Sequence, residues 1–273
     1  MRALVAAIAS LLTCSTANAF NCTLSDSNPL VSVHWENRTI TYAVEDPGPD
    51  GLDSVAAADT IREAFLAWTG AECSDVRFEM AAVVDENAED QNRVIFLKDA
   101  WPHGPEAVAL TTVAHRSKDG LIQRARIEVN EATFDFTLDV DSCDGEVYDL
   151  GAVLTHEVGH FLGLAHTQPE LVFGEDTDPT MTAVVDPCDG AFRTLERDDV
   201  EGLCFLYPIG GAARTCATLP IQAEPYVQNG AFGCACGRSG RGRGLSALML
   251  SGLILLSRRR SPPAACPPDT CAR

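Results

Sequence analysis

Apolar and polar residues alternate along residues 32–44, a two-residue period that predicts a strand. The period then changes. Over residues 55–68, Ile61, Phe65 and Trp68 recur at the three-to-four-residue spacing of one helix face, which predicts an amphipathic helix. Residues 76–81 and 93–97 are read as strands, with the polar run E-N-A-E-D-Q-N between them. Residues 107–115 and 121–129 form a further strand pair, with K-D-G as the turn signal. An apolar helix is expected over residues 150–162, with Asp149 as its N-cap. The last helix is expected to begin at Thr194, with Glu196 and Asp198 near its positive end. Strand, helix, strands, helix, loop, helix is the order of an α+β fold, and no internal repeat interrupts it.

The helix over residues 150–162 carries the chemistry. The string H-E-V-G-H-F-L-G-L-A-H runs from His156 to His166. His156 and His160 are four apart, so on a helix they share one face and can bind one metal ion. Glu157 sits beside them, where it can act on a metal-held water. Gly163 ends the helix, because glycine tolerates the left-handed turn of a C-terminal cap. The chain then swings back and brings His166 within reach as a third ligand. Three protein ligands leave a fourth position open, the pattern of a catalytic zinc. His34, His103 and His115 are read as ordinary surface or core histidines.

This string resembles the extended zinc signature of the metzincin metallopeptidases. Met181, in D-P-T-M-T, matches the methionine turn of that family, a residue that lies beneath the metal without binding it. Residues 35–44, 61–68, 120–130 and 195–208 resemble the first strand, first helix, strand pair and last helix of the matrixin branch. Thr167 stands where matrixins carry serine. Ala183 stands where astacin-like and serralysin-like members carry tyrosine. No cysteine-switch motif is visible. The resemblance implies a metzincin-type catalytic domain: a twisted mixed β-sheet, a zinc-binding active-site helix and a C-terminal helix. It implies a substrate strand added along residues 107–114, and Ala152 on the wall of a specificity pocket that accepts a medium or large apolar side chain. It leaves structural calcium open. Asp139, Asp141, Asp144 and Glu146 are hard oxygen donors, but they fail the EF-hand spacing. They are read as a solvated acidic loop, as are Asp176, Asp178, Asp186 and Asp189.

Composition changes the picture at the two ends. Residues 1–19 read as a secretory signal: Arg2, an apolar run, and Ala17-Asn18-Ala19 as a small-residue cleavage site. A lipoprotein reading would use Cys14, which Thr13 before it disfavours. Export explains the cysteines. Cys22, Cys73, Cys143, Cys188, Cys204 and Cys216 are expected to pair as disulfides, with Cys188–Cys204 the preferred pair. Thiolate–zinc binding and a latency role for Cys22 rank below that. Of the twenty basic residues, Arg2 and seven arginines beyond Gly237 lie outside residues 20–237; of the thirty-nine acidic ones, only Asp269 does. Twelve basic residues therefore face thirty-eight acidic ones, a net charge of −26. Such a domain is repelled by nucleic acid and by anionic lipid.

After Pro208 the texture turns linker-like through residues 209–233. Residues 234–260 then hold Cys234 and Cys236, a short apolar run and Arg258-Arg259-Arg260, followed by an extension over residues 261–273. This resembles the MYXO-CTERM sorting tail of myxobacterial surface proteins, and the arginines fit the positive-inside rule. The expectation is a secreted or surface-exposed monomeric zinc endopeptidase of residues 20–208. It acts on proteins or peptides, with Glu157 as general base, and contacts membrane only through the tail. The rival is a zinc-retaining surface binding or adhesion module that does not turn over.

Overall fold

The computed structural model describes residues 19–45, 48–81, 91–167, 178–216, 231–232 and 235–236. The amino-terminal stretch forms three short strands, β1 (Asn21–Cys22), β2 (Leu24–Ser25) and β3 (Asn28–Ser32). Then come β4 (Thr39–Val44), α1 (Ser54–Ala67), β5 (Arg77–Met80), β6 (Arg93–Leu97), β7 (Ala109–Arg116) and β8 (Leu121–Asn130). β9 (Asp135–Thr137) and β10 (Val147–Asp149) lead into α2 (Leu150–Phe161), followed by β11 (Leu164–Ala165) and β12 (Val184–Val185). A 3₁₀ turn over Ala191–Arg193 precedes α3 (Arg197–Leu206). Two strands follow beyond it, β13 (Ala231–Phe232) and β14 (Ala235–Cys236).

The main sheet has the order β13-β7-β8-β6-β4-β5. β5, β4, β6 and β8 run parallel to their neighbours, while β7 is antiparallel to β8, and β13 to β7. The sheet is therefore mixed, as an α+β fold of this kind requires. Its main core gathers Tyr42, Phe65, Trp68, Ile127, Leu154 and Phe161, all at most 2% exposed. Phe65, Phe78 and Phe161 meet edge to face with ring centroids 5.0–6.0 Å apart.

All twelve residues of α2 are buried, so the helix that carries the histidines runs through the middle of the domain. Burial on every side leaves its end groups nowhere to go but protein partners. Asp149 caps the start, accepting from the Ala152 amide at 2.6 Å, and is itself held by Arg193 Nε at 2.8 Å. At the other end, Trp35 Nε1 donates to the Phe161 carbonyl at 2.9 Å, and the Tyr207 hydroxyl donates to that of Leu162. Gly163 has φ +92°, and a Cβ there would lie 2.2 Å from the Val33 carbonyl oxygen. Only glycine makes both that turn and that approach.

Several expectations need correction. The strand foreseen over residues 32–44 is divided. Ser32 ends β3 and Thr39 begins β4, because His34 and Trp35 leave the alternation, one bonding the β7–β8 turn and the other the end of α2. The last helix begins at Arg197 rather than Thr194. Glu196 and Asp199 form a reciprocal capping box there, which sets the start three residues later. The preferred disulfide is not formed. Cys143 pairs with Cys188, Cys73 with Cys204, and Cys22 with Cys216. Cys188 lies beside the β10 approach, where its amide donates to the Val147 carbonyl, while Cys204 faces the segment after α1. Cys216 is wholly buried, so the chain stays tied to the domain for some distance past Pro208.

Candidate metal centre

Residues 156–166 fold so that three imidazoles converge. His156 and His160 lie one helical turn apart on α2, with Nε2 atoms 3.0 Å apart. After Gly163 the chain reverses into β11, and His166 Nε2 comes within 3.1 Å of His160 Nε2. The candidate ligand atoms all lie within 4.8 Å of one another. β1 steadies the returning segment. It pairs antiparallel with β11, the Thr23 amide donates to the Gly163 carbonyl, and Asn21 Nδ2 donates to the His166 carbonyl at 3.1 Å.

The outer ring nitrogens decide what the inner ones can do. His156 Nδ1 lies 2.6 Å from the Thr180 carbonyl, and His160 Nδ1 lies 2.9 Å from that of Leu164. A carbonyl only accepts, so each Nδ1 carries the proton and each Nε2 offers a lone pair. Burial holds the imidazoles neutral. It lowers His156 to about 4 and the half-buried His166 to about 3, and it pushes His160 well below its usual value with help from its two neighbours. The Nε2 atoms of His156 and His160 thus face one another at 3.0 Å as lone pairs with no proton between them, an arrangement that suits a cation. A set of three imidazoles suits zinc.

Glu157 is fully buried beside this cluster. The Thr111 hydroxyl, on β7, lies 2.6 Å from Glu157 Oε2 and 3.1 Å from the Glu157 carbonyl. Residue spacing gave no hint of Thr111, because its partner lies forty-six positions away. Two further residues were also missed as parts of the site. Asp199 accepts from the Thr180 and Met181 amides at 2.8 and 3.0 Å, and so holds the turn whose carbonyl orients His156. Asp198 accepts from Thr167 Oγ1 at 3.0 Å, and the Thr167 amide donates to the Met181 carbonyl. One end of α3 thereby fixes both the methionine turn and the residue after the third histidine.

Ala152 lies on α2 four residues before His156 and is completely buried, in an apolar cluster with Val108, Ala109, Tyr148, Val153, Val185 and Phe192. Asp139 is engaged by Ser142 and the Asp141 amide, and among the described residues the three histidines are the one group arranged to hold a metal ion. Asp176 lies outside the described residues, as do residues 1–18 and 237–273. Among the described residues no helix is long and apolar enough to cross a membrane.

The arrangement has known relatives. The chain is 28% identical over 198 residues to the Metalloendoproteinase 1-MMP of Arabidopsis thaliana. That alignment covers 72% of this chain and 50% of the plant protein, so the chain spans about half the length of the curated relative it matches. The family model described as Matrixin matches residues 34–208, which run from just after β3 to just past α3 and contain all three histidines; the protein belongs to the matrixin family.

Proposed function

We propose that this protein is a zinc-dependent endopeptidase in which His156, His160 and His166 hold the metal and Glu157 is the general base. The observation that carries the reading is the convergence of three neutral Nε2 atoms beside a buried carboxylate. Bound zinc supplies Lewis-acid chemistry, polarising a carbonyl and making water more acidic. The remaining work falls to the chain. Glu157 accepts the proton of the attacking water and delivers it to the leaving amine. Thr111 orients that carboxylate by donating to Oε2. Thr180 and Leu164 fix the ring orientations of His156 and His160 through Nδ1. Substrate lies extended along β7, the last strand of the catalytic domain on that side of the sheet.

The reading also takes the protein to be an exported monomer, with residues 1–19 as its signal and residues 234–260 as a sorting tail. The acidic balance of residues 20–237 supports a soluble body that avoids nucleic acid.

Metal analysis of the purified protein together with cleavage of a generic protein substrate, with and without chelator, tests the proposal. One zinc per chain and chelator-sensitive cleavage are expected. Glu157→Ala should keep zinc and fold while activity drops by several orders of magnitude. Zinc bound without cleavage of any peptide library would instead favour the adhesion module.

A further inference from the structure

The six-stranded sheet does not end at β7. β13 lies antiparallel along its outer edge, with Ala231 opposite Thr112 and Phe232 opposite Thr111. Thr111 is the residue whose hydroxyl reaches Glu157. Three residue steps later the same segment pairs again: β14 runs parallel to β12, Ala235 opposite Val184 and Cys236 opposite Val185. β12 follows Met181 by three positions, and the turn of Met181 carries the Thr180 carbonyl that orients His156. Three residue steps span at most about 11 Å. The segment therefore reaches from the strand beside the general base to the strand after the methionine turn, the two flanks of the metal centre.

An edge strand has one free row of backbone donors and acceptors, and two strands cannot use it at once. We propose that β13 and β14 are an intramolecular ligand of this protein's own cleft, seated on β7 and β12 where an extended peptide would lie, and that they exclude external substrate until they are displaced or removed. The inference rests on the reading of β7 as the substrate edge. Tethering strengthens it. Cys216 is bonded to Cys22 inside the domain, so the segment is joined to its site by a short length of chain. Such a tether presents a weak ligand at an effective concentration on the order of millimolar. A free peptide of similar affinity would compete poorly.

The test uses the full chain, first in a Glu157→Ala background so that no self-hydrolysis intrudes. Amide exchange over residues 109–116 and 181–185 is compared with that of a variant also carrying Phe232→Pro and Ala235→Pro. Proline has no amide hydrogen to donate and is poorly tolerated within a ladder. At least tenfold faster exchange at β7 and β12, with the rest of the domain unchanged, is expected. Equal exchange in the two proteins overturns the proposal. Faster exchange throughout overturns it too, by making the segment a structural strand. With Glu157 restored and zinc loaded, the proline variant should cleave a generic quenched peptide at least tenfold better in kcat/KM than the unsubstituted chain. A synthetic peptide of residues 229–238 should restore the inhibition competitively. A peptide that leaves the variant's rate unchanged overturns the proposal. A difference in exchange with no hydrolysis by either protein would sink the peptidase reading and leave the occupied cleft standing. Hydrolysis with no difference in exchange would do the reverse.

Discussion

Gly159 lies directly against Met181: a Cβ on the glycine would meet Met181 Sδ at 2.1 Å and Trp68 Cζ2 at 2.8 Å. The glycine stands between His156 and His160 on α2, so the methionine turn packs against bare helix backbone beside the two histidines. Met181 is 1% exposed and Trp68 is not exposed at all, which leaves neither side chain a place to retreat.

Gly159→Ala should therefore destabilise the domain, although alanine is the better helix former. Overpacking of this kind costs about 1–3 kcal/mol, against roughly 1 kcal/mol gained in helix propensity. In a Met181→Ala background the same change should cost less, because the closest contact is gone while the Trp68 contact remains. Urea unfolding of the four proteins gives the coupling. Strict additivity would remove the contact as the cause.

On the proposed mechanism Thr111 positions Glu157, and its loss should appear in turnover. Thr111→Val keeps the shape of the strand and deletes the hydroxyl that reaches Glu157 Oε2. We expect kcat to fall roughly tenfold, about 1.4 kcal/mol, with KM and zinc content nearly unchanged. Thr111→Ser should restore most of it. A serine variant as slow as the valine variant would show that the hydroxyl is not what matters.

Asp199 ties stability to pH. Burial pushes its carboxyl up to about 6, against the pull of the Met181, Thr180 and Glu196 amides that donate to it. The folded state thus binds this proton more tightly than the unfolded chain, so the group's contribution to stability falls as pH rises from about 4 through 6. Asp199→Asn removes that slope. The difference between the two proteins' unfolding free energies should shift by about 2–3 kcal/mol between pH 4 and pH 7. The asparagine variant should also be less stable at neutral pH, since its amide nitrogen would face a backbone donor. A pH-independent difference would place the Asp199 carboxyl near its ordinary value.

The Asp149–Arg193 pair should be costly to break. Asp149 is fully buried, caps α2 and accepts from Arg193 Nε, while Arg193 Nη2 also donates to the Leu138 carbonyl at 2.7 Å. Asp149→Ala uncaps α2 and leaves the partly exposed guanidinium with the Leu138 carbonyl alone, for which about 2–3 kcal/mol is expected. Thermal unfolding measures it. A loss below about 1 kcal/mol would mean that the pair is effectively solvated.

Local order was legible from the chain alone. Histidines four apart, a glycine seven after the first and a third histidine three further on specify a shared helix face and a reversal. Asp149 as N-cap, residues 93–97 as a strand and Gly163 as the left-handed turn all stand where neighbouring residues dictate. Each depends on contacts within a few positions, which backbone periodicity and sterics settle before any tertiary contact forms. Tertiary structure decided the rest. Thr111 meets Glu157 across forty-six residues, Cys22 meets Cys216 across 194, and the acids of α3 hold a turn eighteen or nineteen residues upstream. Residues 231–232 read as linker and 235–236 as tail, because nothing in their composition names the strands they pair with. A strand's edge bonds through its backbone, which every residue carries alike, so its partner is set by which edge stands open in the folded domain.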